Sequence, residues 1–304
     1  MSELPPPPAQ RTLGASAIKV SSIAWGMWRL AENGRTVGEA ARLVHAALDA
    51  GITLFDTADI YGFNGANGFG DAEALLGKVL ATEPALRARM VLATKGGIRP
   101  PLPYDQSATY LREAIDASLK RLQIEQIDLY QVHRPDILAH PHEVARTLDD
   151  AVKAGKIRAL GVSNFTPAQT AALNHFLRAK ISTTQPEISP LRITCFENGE
   201  LDQAMMMDLT PLAWSPLGGG RLLKPETERE RAVAAALDGF ANTRNVSRSV
   251  AAYSWLMAHP AGIIPIIGSQ SPERIAEGAQ ALTLSWSRAD WYAVFIAARG
   301  ETLP

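Results

Sequence analysis

The stretch MVLATKGGIRPPLPYDQSATYLREAIDASLKRLQIEQIDLYQVH, residues 90–133, decides the fold. It opens on a short apolar run, Met90–Thr94, and passes through prolines and polar residues into a longer amphipathic pattern near 107–122. It closes on a second apolar run, Ile127–Val132. Short run, long amphipathic run, short run reads as strand, helix, strand. Two strands joined through a helix run parallel, because a parallel pair needs a crossover and an antiparallel pair only a hairpin.

Outward from this unit the pattern repeats in both directions. Before it come strands at Ile23–Trp25 and Thr53–Asp56, with helices near 37–50 and 71–81. After it come strands at Ala159–Val162, Thr183–Gln185, Thr210–Trp214 and Ile263–Ile267, with helices near 141–154, 167–178, 199–207, 247–258 and 271–282. Thr166-Pro167 and Ser271-Pro272 read as an N-cap followed by proline in the first helical position. Gly51, Gly155 and Gly262 stand where helices end and turn back. Eight strand–helix units predict a closed (β/α)8 TIM barrel, an α/β fold. Arg11–Val20 is expected to form an N-terminal hairpin plugging the barrel's bottom. Extra helices are expected near 226–240 and at Ser287–Arg299. Residues 1–10, with prolines at 5 to 8, are expected to be a disordered tail, leaving 11–304 as a single barrel domain. The competing fold is an open doubly wound sheet, which would carry a Gly-x-Gly-x-x-Gly turn after its first strand. Here that strand runs into Gly26-Met27-Trp28-Arg29, and the one glycine cluster, Gly218–Gly220, follows the seventh strand.

Composition narrows the function. Thirty basic residues face 31 acidic ones, a formal charge of -1, so no long-range field draws nucleic acid or an anionic membrane. The single cysteine, Cys195, excludes an internal disulfide and a cysteine-rich zinc site. The N-terminus lacks a basic segment followed by an apolar one, and no run is long enough to span a bilayer. A cytoplasmic enzyme with a small-molecule substrate is expected, as a monomer or weak homo-oligomer.

In a parallel barrel the chemistry gathers at the C-terminal ends of the strands. Strand two ends in FDTADIYG (55–62), strand three in ATKGG (93–97) and strand four in YQVHRP (130–135). Asp56, Tyr61, Lys95 and His133 therefore converge from three consecutive strands. Singly, each has an ordinary explanation: a turn-capping aspartate, a core tyrosine or histidine, a solvent lysine. Four of them at one mouth are not an accident, and the motifs they stand in resemble those of the aldo-keto reductase family, which implies carbonyl reduction. Hydride addition leaves negative charge on the carbonyl oxygen, and a donor must neutralise it as it develops. Tyr61 can be that general acid and a neutral His133 a second donor. A lysine ammonium eases proton loss from the phenol, and Asp56 fixes the lysine and balances its charge. No metal is called for: His133, His140 and His142 lie close in sequence, but the last two read as the start of an outer helix. Two further readings stay open, a cofactor-binding regulatory subunit with little turnover and a Schiff-base lyase using Lys95.

These motifs, with GVSNF (161–165), QPE (185–187), AWSPLGGG (213–220) and IIGS (266–269), resemble the aldo-keto reductase family over residues 10–284. The resemblance implies an NADP-dependent oxidoreductase that reduces an aldehyde or ketone, with Asp56, Tyr61, Lys95 and His133 as its tetrad. It also implies an NADPH site. Ser163, Asn164 and Gln185 would meet the nicotinamide carboxamide, and Trp214 would stack on its ring. The loop Ser215-Pro216-Leu217-Gly218 with Arg221 would hold the pyrophosphate. Gly268, Ser269, Gln270 and Arg274 would take the 2′-phosphate, Glu277 the adenine, and Gly26 and Met27 are expected to contact the cofactor from the first strand's end. The family often has lysine where Gly268 stands and asparagine where Gly278 stands. Trp28, Phe63 and Arg134 are the expected substrate-pocket residues.

Overall fold

A strand buried on both faces has to be covered on both sides. The central strands of this chain meet that condition: Ile127–Val132 is buried at every position, and Val91–Gly96 at all but its first. The computed structural model describes residues 3–303. In chain order, β1 is Glu3–Leu4, and β2 (Gln10–Thr12) and β3 (Lys19–Ser21) form an antiparallel hairpin. Then come β4 (Ala24–Gly26), β5 (Leu54–Asp56), β6 (Val91–Gly96), β7 (Ile127–Val132), β8 (Ile157–Ser163), β9 (Ile181–Gln185), β10 (Thr210–Ala213) and β11 (Ile264–Ile267). These eight close into a parallel barrel in the order β10-β11-β4-β5-β6-β7-β8-β9. The short β12 is Trp286–Ser287.

Helices fill the crossovers. They are α1 (Val37–Asp49), α2 (Asp71–Thr82), α3 (Ala108–Leu122), α4 (Pro141–Lys153), α5 (Pro167–Phe176) and α6 (Glu200–Met207), followed by α7 (Glu228–Arg244), α8 (Arg248–Met257), α9 (Pro272–Gly278) and α10 (Arg288–Arg299). The caps read from sequence are in place. Thr166 and Gln169 form a reciprocal capping box at α5, and the Ser271 side chain accepts from the Arg274 N–H at α9, each with proline in the first turn. The helix expected over 271–282 stops short. It ends at Gly278 and continues as a 3-10 turn, Ala279–Thr283. A Cβ on Gly278 would collide with Ile267 Cδ1, so the glycine lets this end lie directly on β11.

Small and large side chains alternate around the barrel interior: Ala24, Leu54, Ala93, Leu129, Ala159, Leu212 and Ile264 form one cluster. Leu13, Ile18 and Val20 of the hairpin join it from below, as a plug must. At Gly14, φ is +50° and a Cβ would collide with the Ser182 carbonyl oxygen, so only glycine allows the hairpin to seat there. The segment expected to be a disordered tail is instead laid on the barrel where it is described. Leu4 pairs with Trp286, antiparallel, and packs on the cluster around the buried Trp255, Trp286 and Trp291. Prolines stiffen an extended chain, and here the edge of β12 gives that chain somewhere to dock. Among the described residues no helix is long and apolar enough to cross a membrane.

Candidate active site

Because all eight strands run the same way, β5, β6 and β7 deliver their terminal side chains to one mouth. Lys95, on β6, is fully buried, and its Nζ donates to Asp56 Oδ2 at 2.7 Å and to the Thr57 carbonyl at 2.7 Å. Asp56 is 3% exposed. Its second oxygen accepts from Gln185 Nε2 at 2.9 Å and from Gln131 Nε2 at 3.4 Å. Every charge in this pair has a partner, as burial requires. Burial works to lower the Lys95 pKa, but Asp56 and Tyr61 outweigh it and the net direction is up, so the ammonium is kept.

Tyr61 lies on the turn after β5. Its ring centre is 4.9 Å from Lys95 Nζ, and the His133 ring stands edge-on to it, centroids 5.9 Å apart. Burial raises the phenol's pKa against the pull of Lys95, so Tyr61 holds its proton at neutral pH. His133 is pushed well below the usual histidine range, first by burial and then by the charges of Lys95 and Arg134, so its imidazole is neutral. Its Nδ1 is buried with no partner among the described residues, while its backbone N–H donates to the Gly96 carbonyl at 2.9 Å.

Above this corner opens a cavity of about 850 Å³ that runs from the barrel axis outward over the ends of β10 and β11 to α8 and α9. That is the size of a ligand cleft. Asp56, Tyr61, His133, Ser163, Asn164 and Gln185 line its inner end. Asn164 donates to Ser163 Oγ at 2.8 Å and to the His133 carbonyl at 3.3 Å, and accepts from Trp214 Nε1 at 3.0 Å. Asn164 and Ser215 both have left-handed backbones, φ 59° and 54°, and both face the cavity. Such strain is characteristic of binding sites. Trp214, Ser215, Pro216 and Leu217 form the wall after β10, with Gly219 and Gly220 beyond them. Gly26, Gly268 and Ser269 form the opposite wall, Arg274 and Glu277 the outer end, and Trp28 and Arg134 the mouth. Arg134 lies 5.9 Å from the Trp214 ring centre.

Several expected residues are elsewhere. Met27 is fully buried among the side chains of α1 and α2. Phe63 turns away from the cavity and packs edge-on against Phe69, centroids 6.3 Å apart, because the chain folds back where Gly62 presses on Gly68. Gly218 lies under Leu191. Arg221 binds its own loop, donating to the Gly218 carbonyl at 2.9 Å, and pairs with Glu230 at 3.5 Å. Gln270 reaches inward to the carbonyls of Gly26 and Ser269. The cavity in turn takes in residues that the motif reading missed: Arg29, Leu223, Ser247, Ser249 and Tyr253. Ser249 and Tyr253 are one turn apart on α8, a spacing readable in sequence; that α8 leans over the cleft was not. Among the described residues no group of three or more His, Cys, Asp or Glu side chains is placed to hold a metal ion.

Comparison with known proteins agrees with this architecture. The chain is 75% identical over its full 304 residues to 6-dehydroglucose reductase of Novosphingobium aromaticivorans, covering 100% of each. It is 34% identical to 6-dehydroglucose reductase of Agrobacterium fabrum, over 96% of this chain and 99% of that one. A glycerol dehydrogenase structure from Gluconobacter oxydans superposes with a TM-score of 0.84 at 27% identity, covering 96% of both chains. The model of the aldo/keto reductase family matches residues 22–295, nearly the whole barrel, and the chain belongs to that family of oxidoreductases.

Proposed function

We propose that this protein reduces an aldehyde to an alcohol with NADPH, Tyr61 giving the proton. The observation that carries the reading is the buried Lys95–Asp56 pair at 2.7 Å, with the ammonium 4.9 Å from the Tyr61 ring centre and a neutral His133 ring edge-on to that tyrosine. The cofactor, when bound, supplies a hydride to the carbonyl carbon. The electron pair of the C=O bond moves to oxygen, and the Tyr61 hydroxyl passes its proton there. Lys95 stabilises the phenolate left behind, Asp56 holds Lys95, and His133 donates a second hydrogen bond to the oxygen. Afterwards Tyr61 regains its proton from solvent.

The inner wall fits a nicotinamide. The Gln185 amide donates to Asp56, which leaves its carbonyl to accept from the carboxamide. Asn164 already uses both of its N–H groups, and the 3.3 Å bond to the His133 carbonyl is the one it exchanges for the carboxamide oxygen. Trp214, anchored through its Nε1, offers a flat face for the ring. Arg274 reads the 2′-phosphate of NADPH. The same Lys95 geometry speaks against a Schiff base, since a protonated amine tied to two oxygens has no lone pair to attack with.

The names of the two reductase relatives suggest the substrate class, a sugar carrying an aldehyde at its sixth carbon. Arg134 and Trp28 at the mouth suit such a molecule, one through its hydroxyls and the other through a C–H face. The test is single-turnover oxidation of NADPH with 6-dehydroglucose and with a panel of simple aldehydes and ketones. Rapid oxidation, fastest with the sugar, is expected. No oxidation with any carbonyl would sink the reading.

A further inference from the structure

Two loops meet beside the mouth of the cleft, and one buried amide joins them. Residues 97–107 lead from β6 to α3, and residues 133–140 lead from β7 to α4. Gln106, near the end of the first loop, is 3% exposed. Its Nε2 donates to the Arg134 carbonyl, and its backbone N–H donates to Asp136 Oδ2 at 3.1 Å. The other Asp136 oxygen accepts from the Leu138 N–H at 2.9 Å. The first loop is itself fixed. The Asp105 N–H donates to the Gly97 carbonyl at 3.1 Å, Tyr110 donates to the Ile98 carbonyl at 2.8 Å, and Arg99 pairs with Asp105 at 2.7 Å.

The second loop depends on this clasp. Ile137 and Leu138 are 87% and 91% exposed, so apolar packing does not fix the turn they stand on. Another hold on its start is the Asn164 amide on the His133 carbonyl at 3.3 Å, the bond exchanged for the nicotinamide carboxamide in the function proposed above. Gln106 then holds the peptide next to it. Arg134 stands on this turn, at the mouth of the cleft, with its guanidinium 5.9 Å from the Trp214 ring centre. Moving its backbone by about an ångström carries the whole fork of N–H donors away from where a substrate hydroxyl would meet it.

We propose that Gln106 is a positioning residue for substrate choice: it holds the turn that aims Arg134 across the mouth, and so favours aldehydes with hydroxyls beside the reacting carbon over plain ones. The proposal rests on the reductase reading above. Gln106 does not itself line the cleft and acts through Arg134. A site built to hydrogen-bond a hydroxyl discriminates against the analogue that lacks it.

The test compares glyceraldehyde with propanal, which differ only in their hydroxyls, by NADPH oxidation, with thermal melting of each variant. Gln106→Met keeps the length of the side chain and removes its donor. The KM for glyceraldehyde should rise by about threefold to tenfold. Its kcat, the KM for propanal and the melting temperature should stay nearly as they were. Arg134→Ala should raise the same KM. The double variant Gln106→Met, Arg134→Ala should be no worse than Arg134→Ala alone, because one residue acts through the other. If Gln106→Met melts out, Asp136→Asn is read instead. It leaves a single acceptor for the N–H groups of Gln106 and Leu138 and should raise the same KM by a smaller factor. An equal change for both aldehydes, an unchanged KM for glyceraldehyde, or effects that add in the double variant overturn the proposal. Wild-type protein that reduces propanal as well as glyceraldehyde also overturns it and leaves the reductase reading in place. Wild-type protein that oxidises NADPH with no carbonyl overturns both.

Discussion

The two ends of the cleft are built on opposite rules. At the inner end the charges answer one another inside the protein: Lys95 binds Asp56 and the Thr57 carbonyl, and Gln185 and Gln131 satisfy the other Asp56 oxygen. At the midpoint and outer end, Arg29 and Arg274 face the cavity with a single acidic neighbour, Glu277. The inner corner is therefore held together by the protein's own groups and is coupled to the stability of the barrel. The outer cleft carries its charges without such internal pairing, which suits the anionic cofactor proposed above. Substitutions inside should disturb turnover and folding, and substitutions outside should disturb binding alone.

The largest effect should come from the inner end. Tyr61→Phe removes the proposed proton donor and leaves the cleft's outer walls untouched. Turnover should fall by about 10²–10⁴, with cofactor affinity nearly unchanged. Stopped-flow reduction and cofactor titration check this, and near-normal turnover would remove Tyr61 from its role. Since His133 is neutral across the physiological range, the remaining pH dependence should show no inflection near the ordinary histidine value.

Next is the ion pair. Lys95→Met strips Asp56 of its counter-charge in a nearly water-free setting. Breaking one partner of a buried pair costs about 3–5 kcal/mol, and the rate should collapse as well. The double variant Lys95→Met, Asp56→Asn should recover much of the stability and none of the rate. Denaturant melts and turnover assays on all three proteins separate the two effects. A single variant as stable as wild type would show that the inner end is not coupled to folding in this way.

At the outer end the expected change is in binding. Arg274→Ala should weaken NADPH by about tenfold to a hundredfold and leave NADH nearly as it was. Its melting curve should match wild type. Equal weakening of both cofactors would mean that Arg274 does not read the phosphate that distinguishes them.

The smallest effect concerns the back of the inner corner. Asp59 is 1% exposed, and neither carboxyl oxygen has a hydrogen-bond partner among the described residues. Burial, and then the charge of Glu73, pushes its pKa well above the usual range. A folded pKa above the unfolded one means that the native state holds the proton more tightly. The resulting stabilisation is complete below the unfolded value, about 3.9, and is lost as pH rises through the folded value. A side-chain amide in its place cannot titrate, so the melting temperature of Asp59→Asn should gain on wild type between pH 5 and pH 8. Parallel curves would argue that Asp59 is not buried as an acid.

The amino-acid sequence by itself determined the barrel and the inner corner. Apolar periodicity and caps such as Thr166-Pro167 set where strands and helices lie, and a parallel sheet sends every strand end to the same face. Asp56, Lys95 and His133 lie at or next to strand ends, where alternation and direction follow from local backbone geometry, and Tyr61 is a short turn away. The tertiary structure alone decided the outer cleft. Arg29 and Arg221 are both arginines in loops after strands, and nothing local distinguishes them. One donates to a carbonyl 239 residues away and lines the cavity, and the other donates to its own loop's Gly218 carbonyl and lies beside Glu230. Phe63 and Met27 went astray for the same reason. A loop side chain has no periodic rule for its direction; it points toward whichever distant partner or packing surface the completed fold brings within reach.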